Sequence, residues 1–347
     1  MQTRQARTFF FIPPLRKTTG GVAVICRMAA FLREAGHEVA LALYDPAGWR
    51  PGDLGLPEVN FSSLALAPED LWVVPEGWVN ALAPGLSAGA RCLAYVQNWA
   101  YLFTGLPSGV DWRELRVTLV AVSRPVAWFM EQSLGLSPPI LRPGIDLGLF
   151  APNLDDRNAG PGLAPDRPAP LPVKPDTLSV AYMPRKNKAL AEQIRAVIQA
   201  RGRFEVKWVE IAGLDQAGVA AALRECHVFL ATGFPEGCPL PPLEAMASGA
   251  IPAGFAGFGG WDYMRQTLPG TYAPECPLDQ VPWSGNGFYA PDNDVLGAAL
   301  ALEKALESWR NGGDTLRTVL NNCARTAKAY GLGPQREAVL DFWERLG

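Results

Sequence analysis

The chain is poor in histidine, with two in 347 residues, and its six cysteines include no Cys-x-x-Cys pair. The first scarcity leaves no Ser/His/Asp or Cys/His arrangement, which disfavours nucleophilic hydrolysis. The second leaves a metal site or a disulfide framework unsupported. Cys26 and Cys226 lie in apolar segments and read as small core residues. No stretch approaches the roughly eighteen apolar residues of a membrane span, and the apolar part of MQTRQARTFFFIPPL is too short for a signal peptide. A soluble, cytoplasmic protein is the expectation, with peripheral contact at the inner face of the membrane as the alternative. Charge of one sign is lacking too: the net charge is −3, and residues 1–150 hold twelve Lys/Arg against twelve Asp/Glu. Nucleic-acid binding needs a concentrated positive surface, so nucleic acid is not an expected partner.

What is present is enough apolar material for two cores, with 48% hydrophobic and 19% charged residues in a length that implies about two domains. A run over 8–12 reads as a buried parallel strand, followed by Gly20-Gly21, an apolar helix over 22–35 and a strand over 39–43. This is a βαβ unit in which backbone at Gly20 and Gly21 is free to approach a phosphate or an acceptor at the helix N-terminus. Further strands are expected over 71–74, 92–96 and 117–122, each leading into a polar or Gly-bearing turn. Open α/β sheets bind ligands outside the carboxyl ends of strands, which makes Glu76, Gln97 and Asn98 candidate acceptor contacts. Ser123 stands there too but reads better as the N-cap of a helix running to Ser133. Trp99, Tyr101 and Phe103 offer a sugar-stacking face, although aromatics more often pack.

Residues 151–176 are dense in proline and lack apolar periodicity, which marks a linker between an N-terminal domain over 1–150 and a second βαβ series over 177–330. In that series strands are expected over 177–182, 206–211, 228–231 and 250–255, and helices over 189–200, 295–309 and 315–330. An amphipathic stretch over 334–346 closes the chain. The fold class is α/β, with two Rossmann-like doubly wound domains. Arg185, Lys186 and Lys188 cluster just after the first strand of the second domain. His37 and His227 read as structural residues.

The densest signal is FPEGCPLPPLEAMASGAIPAGFAGFGG over 234–260. Pro241 and Pro242 suit the first turn of a helix, Leu243 to Ala247 are strong helix formers, and Ser248-Gly249 is a stop. Glu236 is then on the loop before the helix and Glu244 in its first turn, with the amides of Gly237, Cys238, Pro239 and Leu240 in the intervening turn. Such an arrangement holds a phosphate on amides while carboxylates accept from sugar hydroxyls.

The run EGCPLPPLEAMASGAIP, with Glu236 at its start and Glu244 at its centre, resembles the donor-site signature of retaining GT-B glycosyltransferases of the family-4 type. The resemblance implies two Rossmann-like domains facing an interdomain cleft. The first would take the acceptor and the second the nucleotide sugar, with a C-terminal helix over 331–347 crossing back to the first. It implies that Glu236 faces the donor sugar, that Glu244 binds the ribose, and that Gly20 and Gly21 border the donor phosphates. Arg185 with Lys186 or Lys188 would neutralise the diphosphate. Two features depart from the pattern: the basic cluster is compact, and no histidine matches the one many relatives carry near the donor sugar. The activity implied is metal-independent, retaining transfer from a nucleoside-diphosphate sugar to a saccharide, lipid-linked or small-molecule acceptor, with no cofactor. Glu236, Arg185 and Lys186 would act in catalysis. The alternatives are a sugar-nucleotide-binding protein without transfer activity and, more remotely, an epimerase or phosphorylase.

Overall fold

The computed structural model describes residues 6–14, 19–46, 55–154, 171–270 and 272–346. The chain divides into two compact units, Met1–Gly144 with Gly333–Gly347, and Ile145–Leu332.

The first unit runs β1 (Arg7–Ile12), α1 (Gly20–Glu34), β2 (Glu38–Leu43), β3 (Glu58–Asn60), β4 (Leu71–Pro75), α2 (Ala83–Ala88), β5 (Arg91–Val96), α3 (Tyr101–Thr104), β6 (Val117–Ala121) and α4 (Arg124–Leu134). Its strands form one parallel sheet in the order β3-β2-β1-β4-β5-β6. The central strands are buried almost end to end, which is why they read in the sequence as unbroken apolar runs instead of alternating ones. The strand order reverses between β1 and β4, and the crevice at their carboxyl ends is where a doubly wound sheet binds ligands. Thr19 caps α1 by accepting from the Val22 amide, and Ser123 caps α4 by accepting from Val126, as its sequence position predicts.

The second unit runs β7 (Ser179–Tyr182), α5 (Lys188–Arg201), β8 (Lys207–Glu210), α6 (Gln216–Glu225), β9 (Val228–Ala231), α7 (Leu240–Ala247), β10 (Ile251–Phe255), β11 (Phe288–Ala290), α8 (Val295–Asn311) and α9 (Gly313–Ala329). The parallel order is β11-β10-β9-β7-β8, and the switch point lies between β7 and β9. Residues 145–150, expected with the first domain, belong here. Phe150 is buried among Ala181, Ile211, Leu223 and Phe229, so the chain enters the second core before the proline-dense stretch begins. Residues 155–170 of that stretch lie outside the described residues. Its two ends are fastened together and to this unit. Leu154 bridges Pro172, and Lys174 Nζ donates to the carbonyls of Arg224 (2.7 Å) and Ser248 (3.2 Å), where α6 and α7 end.

Helix α10 (Leu332–Leu346) follows, and from Gly333 onward it groups with the first unit. Buried Trp343 stacks on Phe10 of β1 at 5.8 Å, and its Nε1 donates to Thr8 Oγ1 at 3.1 Å. Among the described residues no helix is long and apolar enough to cross a membrane. Truncating the indole removes a large buried ring, leaves a void and orphans the Thr8 hydroxyl. Trp343→Ala is therefore expected to destabilise the first unit by about 3–5 kcal/mol, read as a lowered urea midpoint. An unchanged midpoint would mean that α10 contributes nothing to this unit.

Candidate functional site

Because β7 and β9 are neighbours, the loops leaving their carboxyl ends run side by side in the second unit. Asn187, in the left-handed conformation at φ 56°, staples them: its Nδ2 donates to the carbonyls of Thr232 (2.9 Å) and Phe234 (3.0 Å). The residue before it, Lys186, reaches the same loop. Its Nζ lies 2.8 Å from Glu236 Oε1 and donates to Pro235 O at 3.1 Å. Arg185 is exposed at the tip of the turn. Lys188 opens α5 and stands 3.9 Å from both Glu192 and Glu210. The structure thus brings Lys186 to Glu236, whereas Lys188 keeps company with other carboxylates.

Glu236 is held by backbone pairing with the loop after β10. Its amide donates to Gly257 O at 2.9 Å, and the Gly259 amide donates to its carbonyl at 3.0 Å. Two glycines permit this approach. A Cβ on Gly257, itself at φ 64°, would sit 2.6 Å from Gly233 O, and one on Gly259 would collide with the Gly237 carbonyl. Asp292 secures the same loop. Its Oδ1 accepts from the Gly257 amide at 2.9 Å and the carboxylate also accepts from the Phe258 amide, while burial pushes its acid up to about 6. Sequence reasoning missed Asp292; the only signal was an acid in the turn that follows the short strand β11.

Helix α7 begins at Leu240, one residue before the two prolines, with Pro239 as N-cap. Glu244, expected in the first turn, is the fifth helical residue and so lies in the second turn, half-buried. Pro239, Pro241 and Pro242 have no amide hydrogen, so Leu240 carries the only backbone donor over 239–242. Pro239 therefore offers a phosphate no N–H; its carbonyl accepts from Tyr263 Oη at 2.6 Å, which pins the turn. Gly237 is buried beside it and Cys238 half-buried. Ser248 ends the helix and Gly249, at φ 74°, turns the chain, as expected of that pair.

In the first unit, Glu76 follows β4 at the other switch point. It is 3% exposed, and its two carboxylate oxygens accept from the backbone amides of Gln97 (3.1 Å) and Asn98 (2.8 Å). Burial pushes its acid up to about 7 although those two bonds oppose the shift. A side chain so enclosed does not meet an acceptor, which corrects the sequence expectation; it holds the 97–98 turn instead. Gln97 is half-buried, and its Nε2 donates to Gly21 O at 2.9 Å. A Cβ on Gly21 would lie 2.5 Å from Gln97 Oε1, so this glycine makes room for the glutamine, whereas Gly20 is exposed with open space around it. Asn98 is buried, and its Oδ1 accepts from the Ala100 amide of its own turn. Of the three acceptor candidates, Gln97 alone keeps a partly open side chain.

The expected aromatic face at 99–103 splits. Trp99 and Phe103 pack on Phe129 of α4 at 5.5 and 6.1 Å, while Tyr101 and Phe103 both keep exposed surface. His227 is structural, as read: its Nδ1 accepts from the Ser179 amide at 3.2 Å, and burial lowers its pKa to about 4.

Two expectations follow from the paired amides. Glu76 binds its proton more tightly folded than unfolded. Its contribution to stability is therefore fully present below about pH 4.5 and is lost as pH rises through about 7, by on the order of 2–3 kcal/mol. Comparing urea unfolding at pH 5 and pH 8, Glu76→Gln should show a smaller loss than the parent chain; equal losses would contradict this. Asp292→Ala strips two amides of their acceptor and should lower the melting temperature, at a cost of roughly 1–2 kcal/mol because water reaches the half-buried site.

No protein-family model matches the chain. A protein described as an alpha-1,6-glucosyltransferase of Actinobacillus pleuropneumoniae serotype 7 (strain AP76) is 25% identical over 205 residues, 58% of this chain and 56% of that protein. The chain thus spans about half the length of this relative. Among solved structures, a glycosyltransferase from Rickettsia africae ESF-5 matches over 99% of both chains, with a TM-score of 0.68 and 12% identity. The catalytic domain of starch synthase IV from Arabidopsis thaliana, bound to ADP and acarbose, also matches over 99% of both chains, with a TM-score of 0.61 and 14% identity. Two parallel, doubly wound sheets, matched end to end by such structures, give this chain the GT-B fold.

Proposed function

We propose that the chain is a retaining glycosyltransferase that moves a hexosyl or deoxyhexosyl group from a nucleoside-diphosphate sugar to an acceptor without a metal ion. The observation that carries this reading is the meeting of Lys186 and Glu236 at the carboxyl ends of β7 and β9, beside the N-terminus of α7. A cation and a carboxylate at a switch point suit a substrate that is anionic at one end and a polyol at the other. The starch synthase domain with its bound ADP, and the relative named as a glucosyltransferase, support a nucleotide donor and a hexosyl group.

In this reading Lys186 and Arg185 offset the negative charge that builds on the diphosphate as the glycosidic bond breaks. The Gly237, Cys238 and Leu240 amides add the positive end of α7. Glu236 accepts from the sugar hydroxyls and steadies positive charge at the anomeric carbon, and Glu244 accepts from the ribose. The departing diphosphate oxygen takes the acceptor hydroxyl's proton on the face where the bond breaks, while the acceptor oxygen bonds to the anomeric carbon there. Configuration is retained and no protein base is consumed. Lys188, paired at longer range with Glu192 and Glu210, is the lesser candidate for the phosphates.

A coupled assay for released nucleoside diphosphate, run with and without added acceptor, tests the reading. Acceptor-dependent release that persists in excess chelator is expected; loss that only a metal restores would overturn the metal-free scheme. Glu244→Ala should weaken nucleoside-diphosphate binding roughly tenfold or more by titration calorimetry. Glu236→Ala should lower turnover roughly a hundredfold while changing that affinity little.

A further inference from the structure

We propose that Asp292 is a positioning residue for the transfer reaction: it clamps Phe258 into a strained γ-turn, and that turn holds Glu236 in place. That the fixed carboxylate serves sugar transfer rests on the reading above; the clamp itself does not.

The turn over 257–259 has a rare shape. Phe258 stands at φ 66° and ψ −61°, and the Gly259 amide donates to Gly257 O at 2.9 Å across it. Those angles and that bond define the strained form of the γ-turn, which a residue with a Cβ avoids. Nothing in a phenylalanine favours it, so the surroundings must impose it.

Four bonds do so. Asp292 accepts from the Gly257 amide at 2.9 Å and from the Phe258 amide. Glu236 takes the other groups of the turn: its amide donates to Gly257 O at 2.9 Å and its carbonyl accepts from the Gly259 amide at 3.0 Å. The turn also backs the Glu236 side chain, since a Cβ on Gly257 would lie 2.8 Å from Glu236 Cβ and 3.0 Å from its Cγ. Glu236 thus rests, by backbone and by stem, on a turn whose shape a second carboxylate maintains.

Asp292 is itself held. It lies between β11 and α8, where the Asp294 amide donates to Pro291 O at 3.1 Å and Asn293 adopts φ 69°. Asp294 then caps α8 by accepting from the Gly297 amide at 2.8 Å. The clamp is therefore delivered from the fixed start of a 17-residue helix. Helix end, aspartate, strained turn and Glu236 form one chain of contacts, and Lys186 lies 2.8 Å from the Glu236 carboxylate at its far end.

A carboxylate that merely satisfies two loop amides makes a different prediction from one that holds strain. If Asp292 works against the resistance of Phe258, its loss matters only while that resistance is there. Glycine takes positive φ without penalty, so Phe258→Gly should make Asp292 dispensable for turnover.

The test uses the full chain at pH 8, where Asp292, pushed up to about 6 by burial, is ionised. Nucleoside-diphosphate release is followed with UDP-glucose, UDP-galactose, UDP-N-acetylglucosamine, GDP-mannose and ADP-glucose, and hydrogen exchange is measured at the Glu236 and Gly259 amides. Asp292→Ala should lower kcat roughly tenfold with donor KM little changed. It should also speed exchange at both amides and leave UDP and ADP affinity as in the parent. Asp292→Asn, which keeps one acceptor oxygen, should recover part of the loss; if Asp292→Ala fails to fold, it carries the same comparison. Combined with Phe258→Gly, Asp292→Ala should cost less than about twofold, whereas with Phe258→Ala, where Cβ remains, the cost should stay near tenfold. Glu303→Gln, which weakens a buried ion pair further along α8, should lower the melting temperature without changing kcat. Turnover and exchange unchanged in Asp292→Ala, or a loss undiminished by Phe258→Gly, would overturn the positioning role alone. A parent chain that releases no nucleoside diphosphate from any of the donors sinks the transfer reading, and exchange at the Glu236 amide then decides the clamp by itself.

Discussion

Everything at the second switch point depends on two backbones lying closer together than side chains allow. Gly257 and Gly259 have no Cβ to strike the carbonyls of Gly233 and Gly237, so the loop after β10 lies flat on the loop after β9 and pairs with Glu236 on both its amide and its carbonyl. That pairing fixes the Glu236 backbone, and with it the direction from which its carboxylate meets Lys186. A methyl group at either glycine would force the loops apart and move the carboxylate, although neither glycine need touch a ligand. Between them Phe258 adopts φ 66°, a conformation costly for a residue with a side chain. The surrounding bonds, Asp292 to the Gly257 amide above all, hold it there.

The two units solve the same problem with the same chemistry. A loop at a strand's carboxyl end exposes amides that no ladder satisfies, and left alone it would sample many shapes. In each unit a carboxylate, buried in Glu76 and half-buried in Asp292, accepts from two successive amides of a neighbouring loop: Glu76 from Gln97 and Asn98, Asp292 from Gly257 and Phe258. Both acids have raised pKa values, because burial penalises the charged form more than two amide bonds favour it. The cost of burying a charge is thus accepted in exchange for one fixed loop geometry. Lys174 uses the converse device, a buried cation gathering the carbonyls at the ends of α6 and α7, and burial lowers its pKa to about 7.

How much of this was legible in the sequence follows from the range of each interaction. The central strands and long helices were read to within a residue or two, since β1, β2, β5, β9 and α8 are apolar runs whose burial follows from their own composition. The strands β3 and β11 escaped because three residues carry no periodicity, and they exist by pairing with β2 and β10. Helix α6, capped by Asp215, was passed over because its short Gln-Ala-Gly opening has little apolar pattern. At the site, Glu236 and the basic cluster of Arg185, Lys186 and Lys188 were named from their positions beside strands and from the family resemblance. Asp292 was invisible because its partners lie 35 and 34 positions away in sequence, and only the fold closes that separation. Glu76 was misjudged because position at a strand end does not say which way a side chain turns.

The compact basic turn also gains a physical rationale. An ammonium group has three donors, and Lys186 directs two of them to Pro235 O and Glu236. One donor remains to reach a phosphate oxygen. On the proposed transfer reading, a lysine so shared would bridge Glu236 and the leaving group, tying the charge at one end of the breaking bond to the charge at the other. A guanidinium at this position would spread its donors over a rigid plane and could not converge them on one point as readily. Arg185, exposed at the tip of the same turn, has the fork geometry suited to two phosphate oxygens at once. On the proposed transfer reading, adjacent positions would divide the work, the lysine linking sugar to phosphate and the arginine gripping the phosphate alone. On that reading the close spacing of the two basic residues follows from their having different tasks within one turn.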